Sequence, residues 1–148
     1  MRFPIVAALA LTAASSLAAQ DLEIAAPIAG AWTYAATGGG SEARFADASG
    51  NPQLWMQCTR ATRRVTIAKT ASAAAPFLNV WTSSLTRNVP AGFNPATTRL
   101  TIELAPFDPL LDAIATSRGR VGFSAGTQPA LVVPPWAEAS RVIEDCRA

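Results

Sequence analysis

LVVPPWAEASRVIEDC, residues 131–146, decides how this chain is closed. A short β-run ends at Pro134-Pro135, and a helical pattern follows it. Trp136, Ala139, Ile143 and Cys146 stand three, four and three residues apart, which puts them on one face of a helix with a 3.6-residue period. Cys146 is one of two cysteines. The other, Cys58, belongs to a run in which Leu54, Met56 and Cys58 alternate with Trp55, Gln57 and Thr59, the period of a strand. A Cys58–Cys146 disulfide would fasten the terminal helix across a sheet made by the chain between them. Bridged cysteines need Cα atoms about 4.4–6.8 Å apart, so this pairing is a strict geometric expectation.

The N-terminus explains why a disulfide is expected. Arg2, the apolar run Ile5–Leu11 and the small residues Ala13–Ala19 follow the pattern of a secretory signal, cut after Ala18 or Ala19. The apolar run is shorter than the roughly 20 residues a spanning helix requires. The expected organisation is a signal peptide over residues 1–19 and a single β-rich domain over residues 20–148, in the periplasm or secreted. Two distant cysteines in an exported chain point to a structural bridge, whereas a redox site favours Cys-x-x-Cys. About 130 residues suffice for one core. A net charge of +2 is too small to mark nucleic acid or an anionic membrane as the partner, and no transmembrane segment is expected in the mature chain.

The chain between the signal and the last helix reads as strands. AWTYAAT (31–37) alternates Trp32 and Tyr34 with small residues and stops at Gly38-Gly39-Gly40. A glycine-rich phosphate cradle would lead into a helix with a Lys-Ser/Thr signature; here Ser41–Asp47 reads as a strand, so a turn is expected. Breakers at Ala48–Pro52 separate it from the Leu54–Cys58 strand, and a turn near Ala61-Thr62 leads to Arg64–Lys69. These three segments read as an antiparallel meander. Thr70–Pro76 fits a hairpin tip or a helical turn. Leu78–Leu85 reads as a strand, Asn88–Thr97 (with Pro90, Gly92 and Pro95) as a loop, and Arg99–Leu104 as an amphipathic strand. Asp108 as cap and Pro109 at the first position predict a helix over Pro109–Arg118, closed by Gly119. Val121–Phe123 and Ala130–Val133 form a last strand pair around Gly126-Thr127.

Chemistry is harder to place. The chain has no histidine, which removes Ser-His-Asp and Cys-His catalysis and the commonest zinc ligand. No catalytic residue, metal site or cofactor is assigned. Glu42, Asp47, Glu103 and Glu138 leave room for a glycosidase-like carboxylate pair, but no spacing selects one. Arg60, Arg63 and Arg64 surround one turn, either as a docking patch for an anion or as charges that protect an exposed hairpin end. Trp55 and Trp81 sit opposite their strands' aliphatic residues. They form an exposed aromatic surface for a sugar or protein if that phase faces solvent, and core if both faces are covered.

The segments FDPLLDAIATSRGRVGF (107–123) and LVVPPWAEASRVIEDCR (131–147) resemble a group of uncharacterised small exported proteins of Gram-negative envelopes. They are also similar to the C-terminal part of the invasion-associated locus B family, whose members have further cysteines not found in this chain. The resemblance covers about the last quarter of the chain and implies a periplasmic β-sandwich without established catalysis.

Taken with the residue pattern, the expected fold is a mainly β sandwich or flattened barrel of about seven to nine strands, with two short C-terminal helices and one disulfide. The expected function is a non-catalytic envelope protein that binds a partner protein, glycan or other ligand. An inhibitor of a lytic enzyme and a carboxylate-dependent hydrolase are the alternatives.

Overall fold

A computed structural model describes residues 22–148; the expected signal peptide lies outside the described residues. Strands β1 (Gly30–Thr37), β2 (Gly40–Asp47), β3 (Pro52–Thr59) and β4 (Arg64–Thr70) run as one antiparallel meander. Glycine is needed where β2 starts against β3: a Cβ at Gly40 would collide with the Cys58 carbonyl oxygen. After β5 (Phe77–Trp81), β6 (Thr86–Pro90) and β7 (Gly92–Asn94), strand β8 (Arg99–Leu104) pairs with β4 and β7. Helix α1 (Pro109–Ala115), β9 (Val121–Ser124), β10 (Leu131–Val133) and helix α2 (Ala137–Arg147) complete the chain. The strands form a six-stranded sheet, β1-β2-β3-β4-β8-β7, and a four-stranded sheet, β10-β9-β5-β6.

The two sheets share one core. Phe45, Leu54, Met56, Ile67, Leu100 and Ile102 face inward from the larger sheet; Leu78, Val80, Val121 and Phe123 face them from the smaller. The architecture is thus a mainly β two-sheet sandwich with ten strands among the described residues, open at its edges and not closed into a barrel. The expectation of seven to nine strands fell short because two edge strands hide in turn-like sequence. Thr82 and Leu85 exchange hydrogen bonds, which ends β5 at Trp81 and starts a new strand at Thr86. Pro90 closes β6 at a sheet edge, where a missing N–H does no harm. Gly92–Asn94 then pairs with β8, inside what reads as a loop. Ala71–Pro76 forms neither strand nor helix and carries the chain from one sheet to the other.

Both helices form, with corrections at their ends. Asp108 accepts from the Leu110 N–H and Pro109 occupies the first turn, as expected. The helix stops three residues before Arg118, because Ser117 turns away: its hydroxyl donates to the Arg120 carbonyl and accepts from the Ser83 N–H. In α2 the buried face is Ala139, Val142, Ile143 and Cys146. Trp136 is not on that face. It is the N-cap residue, in extended conformation, and is 54% exposed.

Helix α2 covers the part of the larger sheet that the smaller one leaves open, and the Cys58–Cys146 disulfide joins it there with a Cα–Cα distance of 5.4 Å. Fully buried Val142 and Ile143 each contribute about 1.5–3 kcal/mol. The helix's ion pairs, Arg147 with Asp112 and Glu144, include partners 60% and 71% exposed and are worth less. The apolar face and the bridge seat the helix.

Candidate functional site

A sheet exposes unpaired main-chain groups at its edges, and folds protect those edges with short strands, proline or charge. Three edges of this sandwich are protected. Strands β7 and β10 are three residues long, and Val132 of β10 already accepts from the Ile28 N–H. Strand β6 carries Arg87 and Pro90. Strand β1, GAWTYAAT, is different: eight residues, no charge, no proline, pairing on one side with β2. Among the described residues, its main chain is the unprotected edge.

Alongside that edge runs α2. On the core-facing phase of β1, the Trp32 indole N–H donates to the Pro134 carbonyl at 3.0 Å, fixing the entry to the helix. Two residues on, the Tyr34 hydroxyl donates to Asp145 Oδ2 at 2.7 Å. Strand and helix are thereby held side by side. Between them lies an open groove of about 340 Å³, lined by Tyr34, Ala137, Glu138 and Arg141. Exposed Trp136 stands at its helix N-terminal end.

Its electrostatics are mixed. Hydrogen bonding from Tyr34 chiefly holds the Asp145 carboxyl below the usual range; the Ser41 hydroxyl adds to this without standard hydrogen-bond geometry, and the charges of Arg141 and Arg60 add more. Arg141 stacks on the Tyr34 ring, its Cζ 4.1 Å from the centroid, and forms no ion pair among the described residues. One oxygen of Glu138 is buried without a hydrogen-bond partner. A second recess, between Trp32, Met56, Phe123, Pro135 and Trp136, is apolar and has room for about 10 Å³. That is the space of a single water, so it is a packing seam.

The residues singled out from sequence do not gather into one site. The arginines of the β3–β4 turn are exposed and point to different partners: Arg63 donates to the Arg147 carbonyl at the end of α2, Arg64 pairs with Glu103 at 3.5 Å, and Arg60 forms no ion pair among the described residues, its charge only helping to depress Asp145. Trp55 lies on the outward face of the larger sheet and Trp81 on that of the smaller, so they form no pair. Trp55 is only 8% exposed, with the Arg99 guanidinium 3.6 Å above its ring. Trp81 is half-buried. Glu42 and Glu103 share a register row through Gln57 and Thr66. Three strand spacings separate them by about 14 Å, beyond the pair distances of glycoside hydrolysis. Each also has its own arginine, Arg44 and Arg64.

Sequence reasoning missed Tyr34 and Arg141, since neither belongs to a motif and only the packing of α2 beside β1 joins them. The one available signal was the absence of charge along residues 30–37. Lys69, the chain's single lysine, is 6% exposed on the core side of β4, where burial lowers its pKa and its ammonium donates to the Thr70 carbonyl. It lines neither recess. Comparison with protein-family models, curated proteins and solved structures gives no match.

Proposed function

We propose that this is a non-catalytic binding protein of the cell envelope, periplasmic or secreted, whose site is the groove between β1 and α2. The observation that carries the reading is an eight-residue, uncharged edge strand beside an open groove that holds an arginine, Arg141, with no ion pair among the described residues. Folds suppress such edges unless they are used. The disulfide supports it, because it fixes the helical wall of the groove against the sheet. The likeness of the C-terminal quarter to small exported envelope proteins favours the location. The hydrolase alternative draws less support, given the spacing of Glu42 and Glu103. The Arg60, Arg63 and Arg64 turn is a weaker site, since Arg63 and Arg64 already have partner groups within the fold.

The test is retention from envelope extract on the immobilised mature chain, compared with Tyr34→Ala, Arg141→Glu and charge reversal at Arg60, Arg63 and Arg64. Retained species should be lost with the first two variants and kept by the third. Retention that survives both groove variants but not the charge reversal would move the site to the β3–β4 turn.

A further inference from the structure

We infer that the groove takes an extended, acidic polypeptide segment, which adds to β1 as a further strand and presents a carboxylate to Arg141. This rests on the groove being the binding site. Alternate N–H and C=O groups along β1 lack ladder partners among the described residues, because β2 satisfies only one side of the strand. They are the groups that a strand added alongside would engage. Such a strand lies about 4.8 Å from β1, and its side chains alternate between the two faces of the sheet. Those in phase with Trp32 and Tyr34 enter the groove under α2. Those in phase with Ala31, Thr33 and Ala35 meet only small side chains on the outward face.

The chemistry of the groove selects among occupants. Of the charged groups at the groove, Asp145 is already engaged by the Tyr34 hydroxyl and Glu138 has one carboxylate oxygen buried, whereas the planar fork of Arg141 is exposed, with no carboxylate of this chain within ion-pair distance among the described residues. Arginine at such a position matches a carboxylate bidentately. That carboxylate is an Asp or Glu side chain or the segment's C-terminus. A sugar is the poorer occupant, because the Tyr34 ring face it would stack on carries the Arg141 guanidinium. A second copy pairing through its own β1 is also poorer, because GAWTYAAT contains no acid to answer Arg141.

The experiment selects a phage-displayed random decapeptide library on the immobilised, disulfide-intact mature protein, then measures the selected peptides by calorimetry. They should carry Asp, Glu or a required C-terminal carboxylate. N-methylation of one alternating set of peptide amides should weaken binding at least tenfold, and methylation of the other set less than twofold. Replacing the acid by its amide, or amidating the C-terminus where that is the group required, should weaken binding to the wild type and not to a folded Arg141→Gln variant. Indifference to both methylation patterns overturns strand addition, while dependence on Arg141 would leave the groove as the site. Binding indifferent to Arg141→Gln and Tyr34→Ala overturns the segment and the groove together. A library without binders overturns the polypeptide, and the extract experiment then judges the groove separately. A concentration-dependent dimer that competes with the peptides and survives Arg141→Gln assigns the edge to a second copy instead.

Discussion

Removing the disulfide by Cys58→Ala with Cys146→Ala is the sharpest perturbation of the closure. The bridge spans 88 residues. Chain-entropy arithmetic for a loop of that length gives about 4.6 kcal/mol, and measured losses more often fall near 2–4 kcal/mol. The lower figure suits this fold, because Val142 and Ile143 keep their burial when the sulfurs are gone and hold α2 in place. For a domain of this size, a loss of about 2–4 kcal/mol lowers Tm by on the order of 10 °C. Thermal melts followed by circular dichroism measure it, and the wild type under reductant should melt with the double variant. Cys58→Ser alone should cost more than the double change, because it leaves a hydroxyl at a position 1% exposed together with a freed thiol. Thiol titration of the unfolded, unreduced wild type should find none. A double variant melting within about 2 °C of wild type, or two reactive thiols in that titration, would refute the view that the helix is bolted to the sheet.

Two further outcomes follow from the charged groups. The folded pKa of Asp145 is depressed, chiefly by Tyr34, so its contribution to stability is present above the unfolded carboxylate pKa and is lost as pH falls through the folded one. Tyr34→Phe should therefore cost about 1 kcal/mol at pH 7 in chemical denaturation, with the difference from wild type closing as acid takes the pH below the ordinary carboxylate range; a difference constant with pH would show that the hydroxyl acts through packing. Lys69 is the opposite case: burial depresses an ammonium, so the fold carries a penalty at neutral pH that disappears as pH rises past the unfolded lysine value. Lys69→Met should stabilise the protein by about 1 kcal/mol or more at pH 7 and less at pH 11, and a destabilised variant would mean that the bond to the Thr70 carbonyl outweighs the desolvation.

Much of the fold was legible in local sequence, because the features responsible act over a few residues. The period-two runs of β2, β3, β4 and β8, the Asp108-Pro109 cap and the position of Cys146 on the inner face of α2 all follow from side-chain alternation and backbone donors. Trp136 failed because the helical period extends one residue past the last helical backbone, and a cap residue does not share the helix's facing. Strands β6 and β7 failed because edge pairing tolerates Pro90 and Gly92, the residues that signal a loop.

The chain by itself therefore determined which faces of the longer elements are apolar, where most of those elements lie and that one cysteine pair ties the last helix to a strand. Tertiary structure decided which edge stays open and what lies beside it. Trp55 reads the same in sequence whether solvent or Arg99 covers it, and the turn arginines read as a patch until Arg63 and Arg64 are seen with separate partners. Tyr34 and Arg141 are 107 positions apart in the chain. Their stacking exists only because α2 covers the open part of the larger sheet, a consequence of the smaller sheet having four strands against six. Alternation and capping are properties of a few neighbouring residues, whereas a groove is a property of two distant surfaces brought together by the burial of everything else.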